Sequence, residues 1–196
     1  MSPGLAAQLR VVALAAMLAT IPVRSSHAGS WSPSLRVAGG VATNSSEFVD
    51  PTYRLGLVGH VVHDGVKFRP GLEGGWWEQL GHTGLSWATF TGPSPESLRD
   101  THFLMGAVTQ VAAFGPRAPV YLVVGVADLV VVRTFGFSQA PSRVEWTHAP
   151  AFSGGIGVSA RDGLGPVFEA RWYHRRADPD PSVPNHYLLA SAGVRF

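Results

Sequence analysis

From Leu35 onward the chain divides into eight stretches of strand-like composition, separated by turn chemistry: Leu35 to Asn44, Tyr53 to His63, Val66 to Trp77, His102 to Phe114, Val120 to Thr134, Ala151 to Arg161, Gly165 to Arg176 and Tyr187 to Phe196. Each is rich in β-branched, aromatic and glycine residues. The connections between them alternate in length. Asp64-Gly65, Gly115 to Pro119 and Asp162 to Leu164 are tight and carry hairpin residues. Ser45 to Thr52, Glu78 to Thr101, Phe135 to Pro150 and Ala177 to His186 are long and rich in Pro, Gly, Ser and Asp. An all-β, up-and-down antiparallel sheet with short turns at one end and long loops at the other follows, the organisation of a membrane barrel. A soluble sandwich has no reason to segregate loop length in this way. The Glu78 to Thr101 connection has room for an extra hairpin around Ser86 to Thr91, which leaves a ten-stranded count open.

Successive side chains leave a strand by opposite faces. In the third stretch Lys67, Arg69, Gly71, Glu73 and Gly75 share one parity, and Phe68, Pro70, Leu72, Gly74 and Trp76 the other. In the seventh, Glu169, Arg171, Tyr173 and Arg175 alternate with Phe168, Ala170 and Trp172. One face is charged or small, and the other is apolar with aromatics. A secreted lipocalin-like barrel turns its apolar face inward; a membrane barrel does the reverse. The small residues of the charged face suit a narrow lumen and the bulky aromatics suit a lipid surface, so we read the pattern as the membrane barrel. Phe68 and Trp76 are separated by roughly 27 Å along a strand, about 20 Å along the normal after tilt, the spacing of two aromatic girdles. Tyr53, Phe68, Trp76, Phe103, Tyr121, Phe168 and Trp172 are the predicted girdle.

Residues 1–28 read as a cleaved export signal, leaving 29–196 as the barrel domain. Arg10 closes a positive segment, Val11 to Val23 is an apolar run of signal length, and Ser26-His27-Ala28 offers small residues where a signal peptidase reads. The run is too short to span a bilayer as a helix. Later in the chain the longest apolar candidate, Val120 to Val132, is broken by Asp128. The formal charge of +2 comes from 15 basic and 13 acidic residues, and Arg10 and Arg24 lie in or beside the signal, so the mature chain is neutral. With one lysine, Lys67, and no basic run, it lacks a nucleic-acid footprint. At 45% hydrophobic and 14% charged with no Cys, it is neither a disordered chain nor a disulfide scaffold.

The export signal, the alternating strands, the loop asymmetry and the closing strand Tyr187 to Phe196 (YLLASAGVRF) resemble the small outer-membrane β-barrel proteins of the OmpA/OmpX/opacity type. That resemblance implies an outer-membrane location among lipid and lipopolysaccharide, periplasmic turns and termini, extracellular loops open to a ligand, and a monomer. It also implies that Tyr187, Ala192, Val194 and Phe196 form a C-terminal signal read by the barrel-assembly machinery.

If the charged parity faces inward, the lumen holds Arg36, Arg54, Lys67, Arg69, Arg161, Arg171, Arg175 and Arg195 with Glu73, Asp128 and Glu169. Enclosed charges must pair to offset desolvation, and eight strands leave room for little beyond side chains. The expectation is a plug of paired charges centred on Glu73, Asp128, Glu169, Arg54, Arg69 and Arg171, with a gated small-solute or anion pore as the alternative. A second alternative is an enzyme. Lipid A deacylases are also small outer-membrane barrels, and that resemblance implies a His followed two residues later by a nucleophilic Ser. Here His174 is followed by Arg175 and Arg176, which supply no hydroxyl. Ser182 and His186 share a loop with Asp178 and Asp180, with no supporting pattern. His60 and His63 have opposite parity and cannot share an ion. Asp178 and Asp180 fall short of the six to eight oxygens calcium takes. Gly154 to Gly157 sits inside a strand pattern and reads as small lumen residues or close strand packing, not a phosphate loop. Trp76, Trp77 and Trp87 suggest a girdle residue and a loop core, with a binding surface as the alternative. The expected protein is non-catalytic and free of cofactors and metal, with a structural or surface-interaction role.

Overall fold

The computed structural model describes residues 31–44, 47–63, 67–80, 97–113, 119–137, 141–159, 164–176 and 184–196. The proposed signal, Arg161, Ser86 to Thr91, Trp87, Asp178, Asp180 and Ser182 lie outside them. Eight strands form: β1 (Trp31–Asn44), β2 (Glu47–His63), β3 (Phe68–Leu80), β4 (Ser97–Ala112), β5 (Val120–Gly136), β6 (Arg143–Ser159), β7 (Gly165–Arg175) and β8 (His186–Arg195). Each pairs antiparallel with the next, and β1 pairs with β8, so the sheet closes into a barrel. Closure satisfies the backbone groups that an open edge would leave bare in lipid. Among the described residues no helix is long and apolar enough to cross a membrane.

The strands run further into the predicted long loops than their composition suggests. β2 begins at Glu47 and β6 at Arg143, so most of Ser45 to Thr52 and of Phe135 to Pro150 is strand. The neighbouring strand makes this possible by supplying hydrogen-bond partners, as in the pairs Phe135 with Arg143 and Ser97 with Gly136. Strand length is therefore uneven, with 17 residues in β5 and β6 but 11 in β7 and 10 in β8. We call the end with the 81–96 and 176–185 connections the loop end, and the end with Trp31 and Phe196 the terminal end.

The faces sort as a membrane barrel requires. Met105 and Phe168 on the outside are 70% and 55% exposed, whereas Arg36, Arg171 and Arg175 inside are 1%, 2% and 0% exposed. An outer surface of Leu35, Leu57, Leu72, Leu122, Val124, Val126, Phe152 and Ile156 has lipid as its natural solvent. Phe68, Trp76, Phe103, Phe168 and Trp172 sit on this outer face, exposed or half-exposed. Tyr121 does not. It points inward, fully enclosed, and donates a hydrogen bond from its hydroxyl to Glu169 Oε2 at 3.0 Å. Tyr53 belongs to β2, and its side chain is outside the described residues.

Candidate functional site

Inside the barrel, apolar and ionic storeys alternate. Nearest the terminal end, Val62, Val108, Tyr121 and Val123 pack together. Above them lies an ionic storey. Arg171 donates from Nη1 to Glu73 Oε2 at 2.5 Å and from Nη2 to Glu73 Oε1 at 3.0 Å, a two-point pairing across the lumen. Its Nη2 also meets Ser153 Oγ at 2.6 Å, and its guanidinium lies over the Tyr173 ring at 4.9 Å. Arg36 pairs with Glu169 at 2.7 Å, and His60 Nε2 stands 3.4 Å from Glu73 Oε2. Five strands, β1, β2, β3, β5 and β7, thus converge on two carboxylates, the β5 contribution being the Tyr121 hydroxyl.

A storey of Trp77, Leu104, Leu129, Ala151, Tyr173, Tyr187 and Leu189 covers this network. Over it lies a second ionic storey facing the loop end. Arg133 donates from Nε and Nη2 to the two Asp100 oxygens, both at 3.0 Å, and Arg175 Nη2 donates to Thr147 Oγ1 at 2.7 Å. Arg54 and His102 are buried at this level, with His102 stacked on Trp77 at 5.9 Å and set edge-on to Tyr187 at 5.3 Å.

The charged residues expected in the lumen are therefore dispersed. Glu73, Glu169, Arg171 and Arg36 meet in the lower network, and Arg54 is inward but one storey higher. Arg69 faces inward opposite Gln110, and Arg195 is buried near the terminal end. Asp128 is not in the lumen. It lies on the outer face, half-exposed, with Oδ1 3.7 Å from His148 Nδ1. The reason is parity. Tyr121, Val123, Leu129 and Arg133 fix the odd positions of β5 inward, so Asp128 must join Leu122, Val124 and Val126 outside. Lys67 is also outside the network, exposed at the turn before β3, its ammonium 5.7 Å from the Phe68 ring centroid. Two residues the sequence reading passed over matter most in the upper storey. Asp100 lay in a presumed loop, and Arg133 just past an apolar run within the fifth stretch.

Glycines make the space these side chains occupy. Gly157 faces the lumen opposite Tyr121, and a β-carbon there would run into the Tyr121 ring. Gly157→Ala is therefore expected to displace Tyr121 from Glu169 and cost about 1–3 kcal/mol, read as a lower urea midpoint for barrels folded in lipid vesicles. Gly154, on the outer face, has nothing within 4 Å of a built β-carbon, so Gly154→Ala serves as the neutral control. The glycine run between them is strand, as its pattern suggested.

In β8, Ala192, Val194 and Phe196 lie outward and exposed. Tyr187, grouped with them at the sequence level, faces the lumen and donates to the Pro184 carbonyl at 2.9 Å. An odd separation from Phe196 puts it on the opposite face, and Leu188 takes the outward position. His174 also faces outward, in contact with His186 and Trp172.

No protein-family model matches the sequence, and no curated protein matches it. Solved structures do match by shape. Neisserial surface protein A superimposes with a TM-score of 0.53 at 11% identity, over 84% of this chain and 95% of that one. Ail, the attachment invasion locus protein of Yersinia pestis, in complex with the heparin analogue sucrose octasulfate, gives a TM-score of 0.59 at 14% identity, over 87% of this chain and all of that one. The fold is that of the small eight-stranded outer-membrane β-barrels. In that fold Arg36, Glu73, Glu169 and Arg171 are buried in the lumen and the outer face is largely apolar.

Proposed function

We propose that this outer-membrane barrel is a non-catalytic surface protein whose loop end engages other macromolecules, while its lumen is a structural plug. The observation that carries the reading is the projection of β4, β5 and β6. Among the described residues β3 pairs with β4 as far as Glu78 and Thr101, and the end of β7 reaches β6 at Pro150, whose carbonyl accepts from the Arg176 N–H, while β4, β5 and β6 continue together to Ser97, Gly136 and Arg143. Trp146 lies thirteen residues up β6 from Ser159. That is roughly 43 Å along the strand and about 31 Å along the normal, past an apolar belt about 25 Å tall. Trp146 is nevertheless 53% exposed, and the Arg143 side chain, ion-paired with Glu145 at 2.6 Å, 68%. Trp and Arg are residue types that dominate the energetics of protein surfaces that bind.

Arg99, ion-paired with Glu78, and the exposed Arg176 add cations to the same end. Ail was crystallised with a heparin analogue, so sulfated glycan is the first surface to test. Cells displaying the barrel are expected to adhere to heparin-coated wells, and Trp146→Ala combined with Arg143→Glu to lose most of that adherence at equal surface expression. Equal adherence of the variant and the parent would remove the projecting sheet from consideration.

The paired lumen supports a plug over a pore. Planar bilayers containing the purified barrel are expected to stay at baseline conductance, and stable open steps would restore the small-solute or anion pore. The lipid A deacylase reading predicts loss of acyl chains from lipid A in expressing cells, and we expect none. Ala192, Val194 and Phe196 we assign to recognition by the assembly machinery, and lipid and lipopolysaccharide to the apolar belt.

A further inference from the structure

His174 and His186 face one another across β7 and β8 on the outside of the barrel. Their Nδ1 atoms are 3.4 Å apart and their ring centroids 4.7 Å apart. Trp172 stacks against both rings with centroids at 5.7 Å, which limits how either imidazole can turn. Two neutral imidazoles that meet nitrogen to nitrogen share one proton at best. An ion satisfies both lone pairs. Two nitrogen ligands about 2.0–2.1 Å from a tetrahedral ion stand about 3.3–3.4 Å from each other, and the observed separation matches.

We propose that His174 and His186 form a two-imidazole site for a borderline divalent cation, Zn2+ or Cu2+, clamping β7 to β8 at the root of the 176–185 connection. Among the described residues no group of three or more His, Cys, Asp or Glu side chains is placed to hold a metal, so water completes the coordination. Water reaches the site. His174 and His186 lie nine positions from Gly165 and Arg195 respectively, roughly 30 Å along the strand and about 22 Å along the normal, at the rim of the apolar belt. Imidazole selects Zn2+, Cu2+ and Ni2+ over Mg2+ and Ca2+, which favour oxygen. The site differs from the outer-face pair of His148 and Asp128, where the nearest nitrogen and oxygen are 3.7 Å apart.

The test uses the untagged full-length barrel refolded in detergent, titrated with ZnCl2 in a calorimeter at neutral pH. One Zn2+ per barrel is expected, with affinity about tenfold or more weaker in either His174→Ala or His186→Ala and unchanged in His148→Ala. Binding is expected to weaken as the pH falls, because protons compete with the ion for the imidazole nitrogens. Cu2+ is expected to give a two-nitrogen electron paramagnetic resonance signature in the parent barrel and to quench tryptophan fluorescence less in Trp172→Phe. The signature in the parent keeps the test decisive if an alanine variant fails to fold. Binding that saturates only in the millimolar range, that survives either single substitution, or that shows one nitrogen overturns the proposal.

Discussion

Glu73→Ala is expected to destabilise the folded barrel by about 3–5 kcal/mol, the cost of leaving a buried charge without its partner. Glu73 takes both Arg171 nitrogens and lies 3.4 Å from His60, and its side chain has no exposure. Removing it leaves the Arg171 guanidinium, 2% exposed, with the longer ion-pair contact to Glu169 at 3.8 Å as its carboxylate partner among the described residues. The penalty belongs to the orphaned charge more than to the pair. Glu73→Met combined with Arg171→Met should therefore recover most of the loss, since well-packed apolar replacements of buried pairs are often neutral or stabilising. Urea unfolding in vesicles measures both. Bilayer recordings on the same proteins separate plug from gate: a plug loses stability with no new conductance, whereas a gate opens when the pair is cut. A single variant as stable as the parent would show that water reaches the network.

The second large effect is expected at Val124→Arg, at about 2–4 kcal/mol for a cation near the bilayer midplane. Val124 is 54% exposed on the outer face of β5. It stands four positions from Val120, roughly 13 Å along the strand and about 10 Å along the normal, well inside the belt. The same substitution on a soluble lipocalin-like barrel would place an arginine in water at little cost. Folding free energy in vesicles therefore reports directly on what solvates this face, and a change within about 0.5 kcal/mol, the range usual for exposed soluble positions, would count against a membrane assignment.

Both effects depend on which parity faces inward, and that is where the legibility of the sequence ended. In β3 and β7 the two parities differ in kind, with Arg69 and Glu73 against Phe68 and Trp76, and Glu169 and Arg171 against Phe168 and Trp172. There the inward face could be read directly. In β5 both parities are apolar: Val123, Leu129 and Val131 fill the lumen while Leu122, Val124 and Val126 face lipid. Asp128 then carried no label beyond its charge, and assigning it inward was the error. Asp128 and Arg133 are an odd number of positions apart, so one strand cannot send both inward. Tyr121 and Tyr187 went wrong for a related reason. Tyrosine suits a girdle and a lumen equally, since its ring buries well and its hydroxyl finds a partner in either place.

The strand period, the hairpin turns and the sorting of polar from apolar faces are legible in the residue order, because they depend on residues adjacent in the chain. The sequence also supplied the carboxylates and guanidinium groups that the lumen must neutralise. Only the tertiary structure decided which of them meet. Arg171 and Glu73, 98 positions apart, meet because closure sets the shear that brings β7 and β3 level across the lumen, whereas Arg133 and Asp100, 33 apart, meet as direct partners in the β4–β5 ladder. The register of the β7–β8 ladder sets His174 beside His186. Where β6 begins also depended on tertiary structure: Arg143 to Pro150 carries turn-prone residues, but β5 offers it a complete ladder, and the hydrogen bonds of that ladder outweigh local preference.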